Sequence, residues 1–319
     1  MPVLESGEET LVGGQAVVEG VMMRAPHSYC VAVRKASGEI VTEELPLARM
    51  SEKYKIFRYP IFRGIGTLWQ ALRLGYRATR FSANMALDDP KFAEQRKAGP
   101  KDEAAKEIPS WAMAGPLLFS LAFFIFAYKY LPLVLVTRLE KIYPALTAHV
   151  YETLVDGGIR LVILIGLLYG LSRFKDVRRM FEYHGAEHKV VFNYESGNPV
   201  TVANAQRYST FHPRCGTSFL FVVFVLAIPF YMALPFTGFA AKLLARVVLI
   251  PLIAGVAYEL IRFAAKRRGS FLAALTAPGL WMQRITTKPP SDDQAAIAIH
   301  ALEGAMQLEA RQGGQLIIA

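Results

Sequence analysis

The chain has 319 residues, room for one large domain or two small ones. Its hydrophobic share of 53% is more than a soluble domain of this size needs, and the excess is concentrated in a few runs. A formal charge of +10 gathers beside those runs, which points to anionic lipid and not to nucleic acid; no specific nucleic acid is expected. Two cysteines, Cys30 and Cys215, exclude a disulfide framework, and neither belongs to a Cys-x-x-Cys pair.

Residues 1–90 read as a cytosolic or interfacial region. Met1 to Thr10 is acidic and lacks a basic-then-apolar signal pattern, so the start of the chain is expected to stay in the cytosol. From Gly13 to Pro26, glycines flank an apolar run that embeds Gln15, Glu19 and Arg24. No Gly-Lys-Ser/Thr follows, which excludes a phosphate loop; such a polar trio either pairs internally or faces a site. Tyr29 to Glu44 alternates in polarity around Ala36-Ser37-Gly38 and predicts a β-hairpin. Phe62 to Leu87 predicts an amphipathic helix with Ile65, Leu68, Leu72, Tyr76 and Ala83 on one face. That face suits a membrane surface, the spanning bundle or an ordinary core. Residues 91–110 are charged and read as a linker.

Residues 111–268 carry four apolar runs: Trp111 to Thr137, Gly158 to Ser172, Gly216 to Pro235, and Leu243 to Ala265. The third has no charge and is the clearest span; the second must borrow length from Leu154 and let Arg160 snorkel outward. Lys and Arg cluster before the first run, after the second and after the fourth. Four spans with both termini in the cytosol produce that alternation. The expected fold is mainly α: a polytopic protein of the inner or plasma membrane, with about four transmembrane helices and a small N-terminal hairpin-and-helix region. Residues 269–319 form a cytosolic tail. Within it Ser291 and Gln294 make a capping box, and the following helix sets Ala295, Ile299, Leu302 and Met306 on one face, docking on the N-terminal region.

The connection between the second and third runs holds the sharpest chemical signal, His184-Gly185-Ala186-Glu187-His188. On a helix, His184 and His188 at i and i+4 point the same way and can share one divalent metal ion, zinc by ligand type. Glu187 beside them can take a proton without being a ligand. A solvated helix pairing with Arg178 and Lys189 is the plain alternative. His212 and Cys215 follow at the mouth of the third run; both are ligand types, and a capping role for Cys215 competes. Glu259, in the fourth run, is the first choice for the third ligand, because H-x-x-E-H enzymes commonly take a carboxylate from a later helix. An internal pair with Arg262 is its rival, and Cys215, His212 and the Glu19 segment are rival ligands.

Three stretches together resemble a known family: Gly13-Gly-Gln-Ala-Val-Val-Glu-Gly-Val-Met-Met-Arg24, His184-Gly-Ala-Glu-His-Lys189, and Tyr208-Ser-Thr-Phe-His-Pro-Arg-Cys-Gly-Thr-Ser218. They resemble the YqhQ-type membrane proteins, the family of domain of unknown function 1385, over most of the chain. The resemblance implies a metal-dependent enzyme with several membrane helices and names no substrate. The expected function is a membrane-embedded metal-dependent hydrolase at the cytosolic surface. His184 and His188 would hold the metal, Glu187 would act as base, and Arg24 or Arg214 would stabilise negative charge. The alternative is a non-enzymatic scaffold whose His/Cys cluster is structural and whose basic face recruits a cytosolic protein. An ion transporter is weaker, since Glu259 is the one ionisable group that stands out away from the cytosolic edge.

Overall fold

The computed structural model describes residues 12–48, 50–86, 114–213, 215–234, 238–266 and 277–311. The linker expected at 91–110 lies outside them. Four strands come first, β1 (Gly13–Val17), β2 (Gly20–Arg24), β3 (Ser28–Arg34) and β4 (Ile40–Pro46), joined as an antiparallel sheet in the order β1-β2-β3-β4. The second hairpin is the one the alternation predicts, turning through Gly38 at φ +87. The first hairpin, in the Gly-rich stretch, reads in the sequence only as an apolar run with glycines. Its register pairs Val17 with Gly20, so Val18 and Glu19 make the turn, with Glu19 at φ +54.

Polarity does not alternate in β2 because both faces of the sheet are buried. Val21, Met23 and Ala32 join one apolar cluster; Val17, Met22, Val31 and Val33 join another.

Two short elements follow the sheet, α1 (Met50–Lys53) and a 3₁₀ turn at Lys55–Arg58, and then α2 (Phe62–Ala86). Helix α2 covers one sheet face through Leu74 and Ala78. Its inner face is not the one expected. Gly64, Gly75, Ala78 and Ser82 are buried, while Leu72 is 61% exposed and Trp69 62%. Gly64 lets this helix approach Gly255 and Tyr258, and Gly75 lets it approach Gln15 of β1, while Trp69 and Leu72 are left outside.

The remaining helices are α3 (Ala114–Ile142), α4 (His149–Leu171), α5 (Lys175–Glu195), α6 (Val202–Ala205), α7 (Gly216–Met232), α8 (Phe239–Val248), α9 (Ile250–Lys266), α10 (Ala277–Thr286) and α11 (Asp292–Arg311). Helices α5 and α11 cover the second sheet face; Tyr183, Ala186 and Val190 meet Ile297, Ala298 and Leu302 there. The capping box closes as expected: the Ser291 N–H donates to Gln294 Oε1 at 2.9 Å, and the Gln294 N–H donates to Ser291 Oγ at 3.3 Å.

Among the described residues, α3 and α4 are long and apolar enough to cross a membrane. Helices α8 and α9 add a third span if the pair, bent by 45°, is counted as one. The expectation of four is not met. The uncharged third run, the clearest by hydropathy, forms a helix of only 17 residues, α7. The second run, the weakest by hydropathy, belongs to the 23-residue α4, because the helix starts well upstream at His149.

Arg160 does not snorkel outward either. It is buried at 3% exposure and pairs with Asp156 at 2.7 Å, one turn back. Asp156 also accepts from Arg246 Nη1 at 3.0 Å, and Lys242 pairs with buried Glu152 at 2.5 Å. A π turn at Phe126–Tyr130 rotates Lys129 inward, where its Nζ donates to Tyr231 Oη at 2.8 Å. Lys129, Arg160 and Arg246 all lie within 5.5 Å of the Tyr231 ring centroid. This network removes the premise that Glu259 alone stood out as an ionisable group in the apolar section.

Candidate metal centre

Helix α5 enters at Phe174, runs to Glu195, and stops where Gly197 adopts φ +72. His184 and His188 share a face of it, with ring centroids 4.5 Å apart. Each ring is oriented by a backbone carbonyl. His184 Nδ1 lies 2.8 Å from the Thr286 oxygen, at the end of α10, and His188 Nδ1 contacts the Thr210 oxygen. A carbonyl only accepts, so each Nδ1 is the donor there and each Nε2 is the nitrogen turned to the site. Metal-ligating histidines are commonly held by a carbonyl on the far nitrogen in this way.

The loop that supplies Thr210 and Cys215 is pinned from below. Buried Lys189 donates to the Gln206 and Tyr208 carbonyls, both at 2.7 Å, and burial holds its ammonium below the usual lysine range. Gln283 on α10 clamps His212 from both sides: its Oε1 accepts the His212 N–H at 2.7 Å, and its Nε2 donates to the His212 carbonyl at 2.8 Å. Cys215 then caps α7, accepting from the Thr217 N–H at 3.5 Å. Its sulfur lies 3.3 Å from His184 Nε2 and faces the partial positive charge of the α7 N-terminus.

Among the described residues, His184, His188 and Cys215 form the group whose ligand atoms all lie within 4.8 Å of one another. The chemistry of that set suits zinc. Tetrahedral bonds of about 2.3 Å to sulfur and 2.0 Å to nitrogen place those two atoms about 3.5 Å apart. The 3.3 Å found between Cys215 and His184 agrees. Glu187 is buried beside the trio, its Oε2 3.4 Å from His188 Nε2. A Cβ on Gly14 would lie 2.6 Å from Glu187 Cγ, so β1 lies directly on this carboxylate because residue 14 has no side chain.

The other expected site residues go elsewhere. Glu259 does not converge on the imidazoles; it binds the Arg63 guanidinium in two places and accepts from the Ile61 N–H at 3.3 Å. Ile61 sits at φ +68, so this carboxylate holds a strained turn at the entry to α2. The physical reason is partner availability: a guanidinium and a free N–H meet Glu259 before any imidazole does. The anticipated Arg262 pair is not its hydrogen-bond partner either.

His212 lies next to the trio, its ring 5.6 Å from that of His188, but its Nε2 lies 3.5 Å from Glu195. Burial holds this imidazole below its usual range, with the Glu187 charge opposing. Gln15 reaches α2 at Gly75, and Glu19 binds Arg179 and Tyr183 Oη, so the Gly-rich trio does not converge. Arg24 ends β2 in register with Gly13, next to the Gly14 that covers Glu187. Arg214 lies outside the described residues.

The fold and site together define a mainly helical protein with a small antiparallel sheet, two or three helices long enough to cross a bilayer, and a His/His/Cys group where α5 meets the start of α7. The chain belongs to the family described as "Protein of unknown function (DUF1385)", whose model matches residues 59–308. It is 34% identical over 300 residues, covering 93% of each chain, to the "Uncharacterized protein YqhQ" of Bacillus subtilis (strain 168). No solved structure matches it.

Proposed function

We propose that this protein is an integral membrane, metal-dependent hydrolase working at the cytosolic membrane surface. The observation that carries the reading is the gathering of His184, His188 and Cys215 around two inward nitrogens and a sulfur, with a buried carboxylate alongside. Three protein ligands leave a tetrahedral ion one open position, the arrangement of catalytic and not structural zinc. An ion held there would act as a Lewis acid, polarising a carbonyl or phosphoryl oxygen and easing deprotonation of water. Glu187 accepts that proton and passes it to the leaving group, shielded from bulk water by β1. Arg24, and Arg214 next to Cys215, are the cations proposed for developing negative charge.

In this reading α3 and α4 cross the bilayer, α7 and the bent α8–α9 pair together enter it from the cytosolic side and return to that side, and both termini face the cytosol with the basic segments. Cysteine labelling in intact cells tests the topology: a cysteine placed near Tyr151 should react with an impermeant reagent and one near Lys189 should not. The reverse pattern would end the model.

A second reading is favoured by the 3.4 Å between Glu187 and His188. Glu187 would be a fourth ligand closing a structural site, and the protein a scaffold for a cytosolic partner. Glu187→Gln separates the two. The hydrolase keeps its metal and loses function in a cell-based complementation assay; the scaffold loses metal as His188→Ala does. A Glu187→Gln variant that keeps both metal and function refutes hydrolysis.

A further inference from the structure

A second feature adjoins the candidate centre. Where α4 ends, α5 begins and α10 runs past them, the structure leaves an open cavity of about 240 Å³ lined by Tyr169, Ser172, Arg173, Arg178, Arg284, Ile285 and Lys288. Four of these seven side chains are cations. Among the described residues no carboxylate pairs with Arg173, Arg284 or Lys288, and the carboxylate nearest Arg178 is Glu182, at 3.8 Å. That carboxylate already accepts from Gln294 at 3.0 Å. Arg173 spends its guanidinium on Tyr169, both over the ring at 4.5 Å and on the hydroxyl. Lys288 donates to the Arg284 carbonyl, at 2.9 Å. Four positive charges so arranged repel one another unless an anion sits among them.

The surroundings indicate which anion. The cavity lies at the end of the apolar helix α4, where Tyr169 lines it, and Tyr169, Phe174 and, on α10, Trp281 are exposed aromatics of the kind enriched at headgroup depth. A free phosphate would need only the cations; a lipid also uses the aromatic rim and the apolar flank of α4. The volume suits a headgroup and falls short of the usual range for larger ligands. The pocket also shares a wall with the metal centre. Arg284 and Lys288 flank Thr286, whose carbonyl orients His184, and the Lys288 N–H donates to the Phe181 carbonyl at 2.9 Å.

We infer that this cavity seats the phosphate of an anionic phospholipid, beside the His184/His188/Cys215 centre. The inference rests on the membrane placement proposed above and is independent of whether the centre hydrolyses anything.

The test uses the full chain purified in detergent and titrated calorimetrically with three probes: dihexanoyl phosphatidylglycerol below its micellar concentration, dihexanoyl phosphatidylcholine, and inorganic phosphate. Phosphatidylglycerol should bind more tightly than the zwitterionic lipid, and phosphate should compete weakly with it. Arg284→Gln with Lys288→Gln should weaken phosphatidylglycerol binding roughly 25-fold, about fivefold per cation removed. Arg178→Gln, away from Thr286, should cost about fivefold and guards against a double variant that does not fold. Equal binding of the two lipids, or wild-type affinity in folded variants, overturns the assignment. Tight phosphate binding that phosphatidylglycerol does not displace makes the ligand a soluble phosphate and overturns the lipid source. Alkaline carbonate extraction of cell membranes reports on the placement separately. Release of the chain refutes membrane insertion, whereas retention with no lipid preference refutes the pocket alone.

Discussion

Gly185→Ala is a sharp perturbation of the candidate centre, because it replaces no ligand and acts chiefly on the backbone at Lys288, with a lesser contact to Thr210 Cγ2 at 3.3 Å. A Cβ at this position would lie 2.0 Å from the Lys288 carbonyl oxygen, where ordinary contact begins at 3.4 Å. The obstructing atom is backbone, so residues 286–288 must retreat by about 1.4 Å. His184 Nδ1 now lies 2.8 Å from the Thr286 oxygen, and the same retreat carries that oxygen beyond hydrogen-bonding reach. The ring loses the partner that fixes its tautomer and direction. Losing such a partner lowers metal affinity about 10- to 100-fold, which corresponds to about 1.4–2.7 kcal/mol. Locally the substitution favours α5, since Ala is the better helix former by about 1 kcal/mol, so loss of affinity cannot be ascribed to helix fraying. Competition against a chromogenic chelator measures the affinity, and circular dichroism checks the fold. Gly166→Ala on α4, where nothing lies within 4 Å of the added atom, should bind like wild type. A folded Gly185→Ala variant with wild-type zinc affinity would refute the claim that the Thr286 carbonyl tunes the site through His184.

Asp156→Asn should cost about 3–5 kcal/mol of stability, because it strands Arg160 and Arg246 in the bundle without their shared carboxylate. Unfolding in mixed detergent micelles reads this out, and a change under about 1 kcal/mol would show that the network is hydrated and weakly coupled. Glu259→Gln should weaken the Arg63 clamp on the α2 entry while leaving bound metal unchanged. Loss of metal in that variant would restore Glu259 as a ligand.

Much of the fold was legible where one physical rule dominated. The β3–β4 hairpin, the extent of α2 though not its buried face, and the Ser291 capping box follow from alternation, periodicity and reciprocal capping. The β1–β2 hairpin was hidden because β2 is buried on both faces, which erases alternation, and because Gly14 and Gly20 serve close approach. Gly14 clears Glu187, a reason that exists only once α5 lies across β1. The span count failed for a related reason. Hydropathy over α4 underrated a helix whose Asp156 and Arg160 neutralise each other one turn apart, a spacing visible in the sequence. Lys129 and Arg246 join that pair through tertiary packing alone, so the buried network was not readable in advance. Within the site, the His184/His188 face came from i,i+4 spacing. The choice of Cys215 over Glu259 depends on which side chain finds a competing partner, and Arg63 is 196 residues from Glu259.

Metal content of the detergent-purified protein tests the central claim most directly. Wild type should carry about one zinc-like ion per chain, and His184→Ala, His188→Ala and Cys215→Ala should each lose it while remaining folded. Wild-type protein without stoichiometric metal after purification free of chelators, or a Cys215→Ala protein that keeps its ion, would contradict the account.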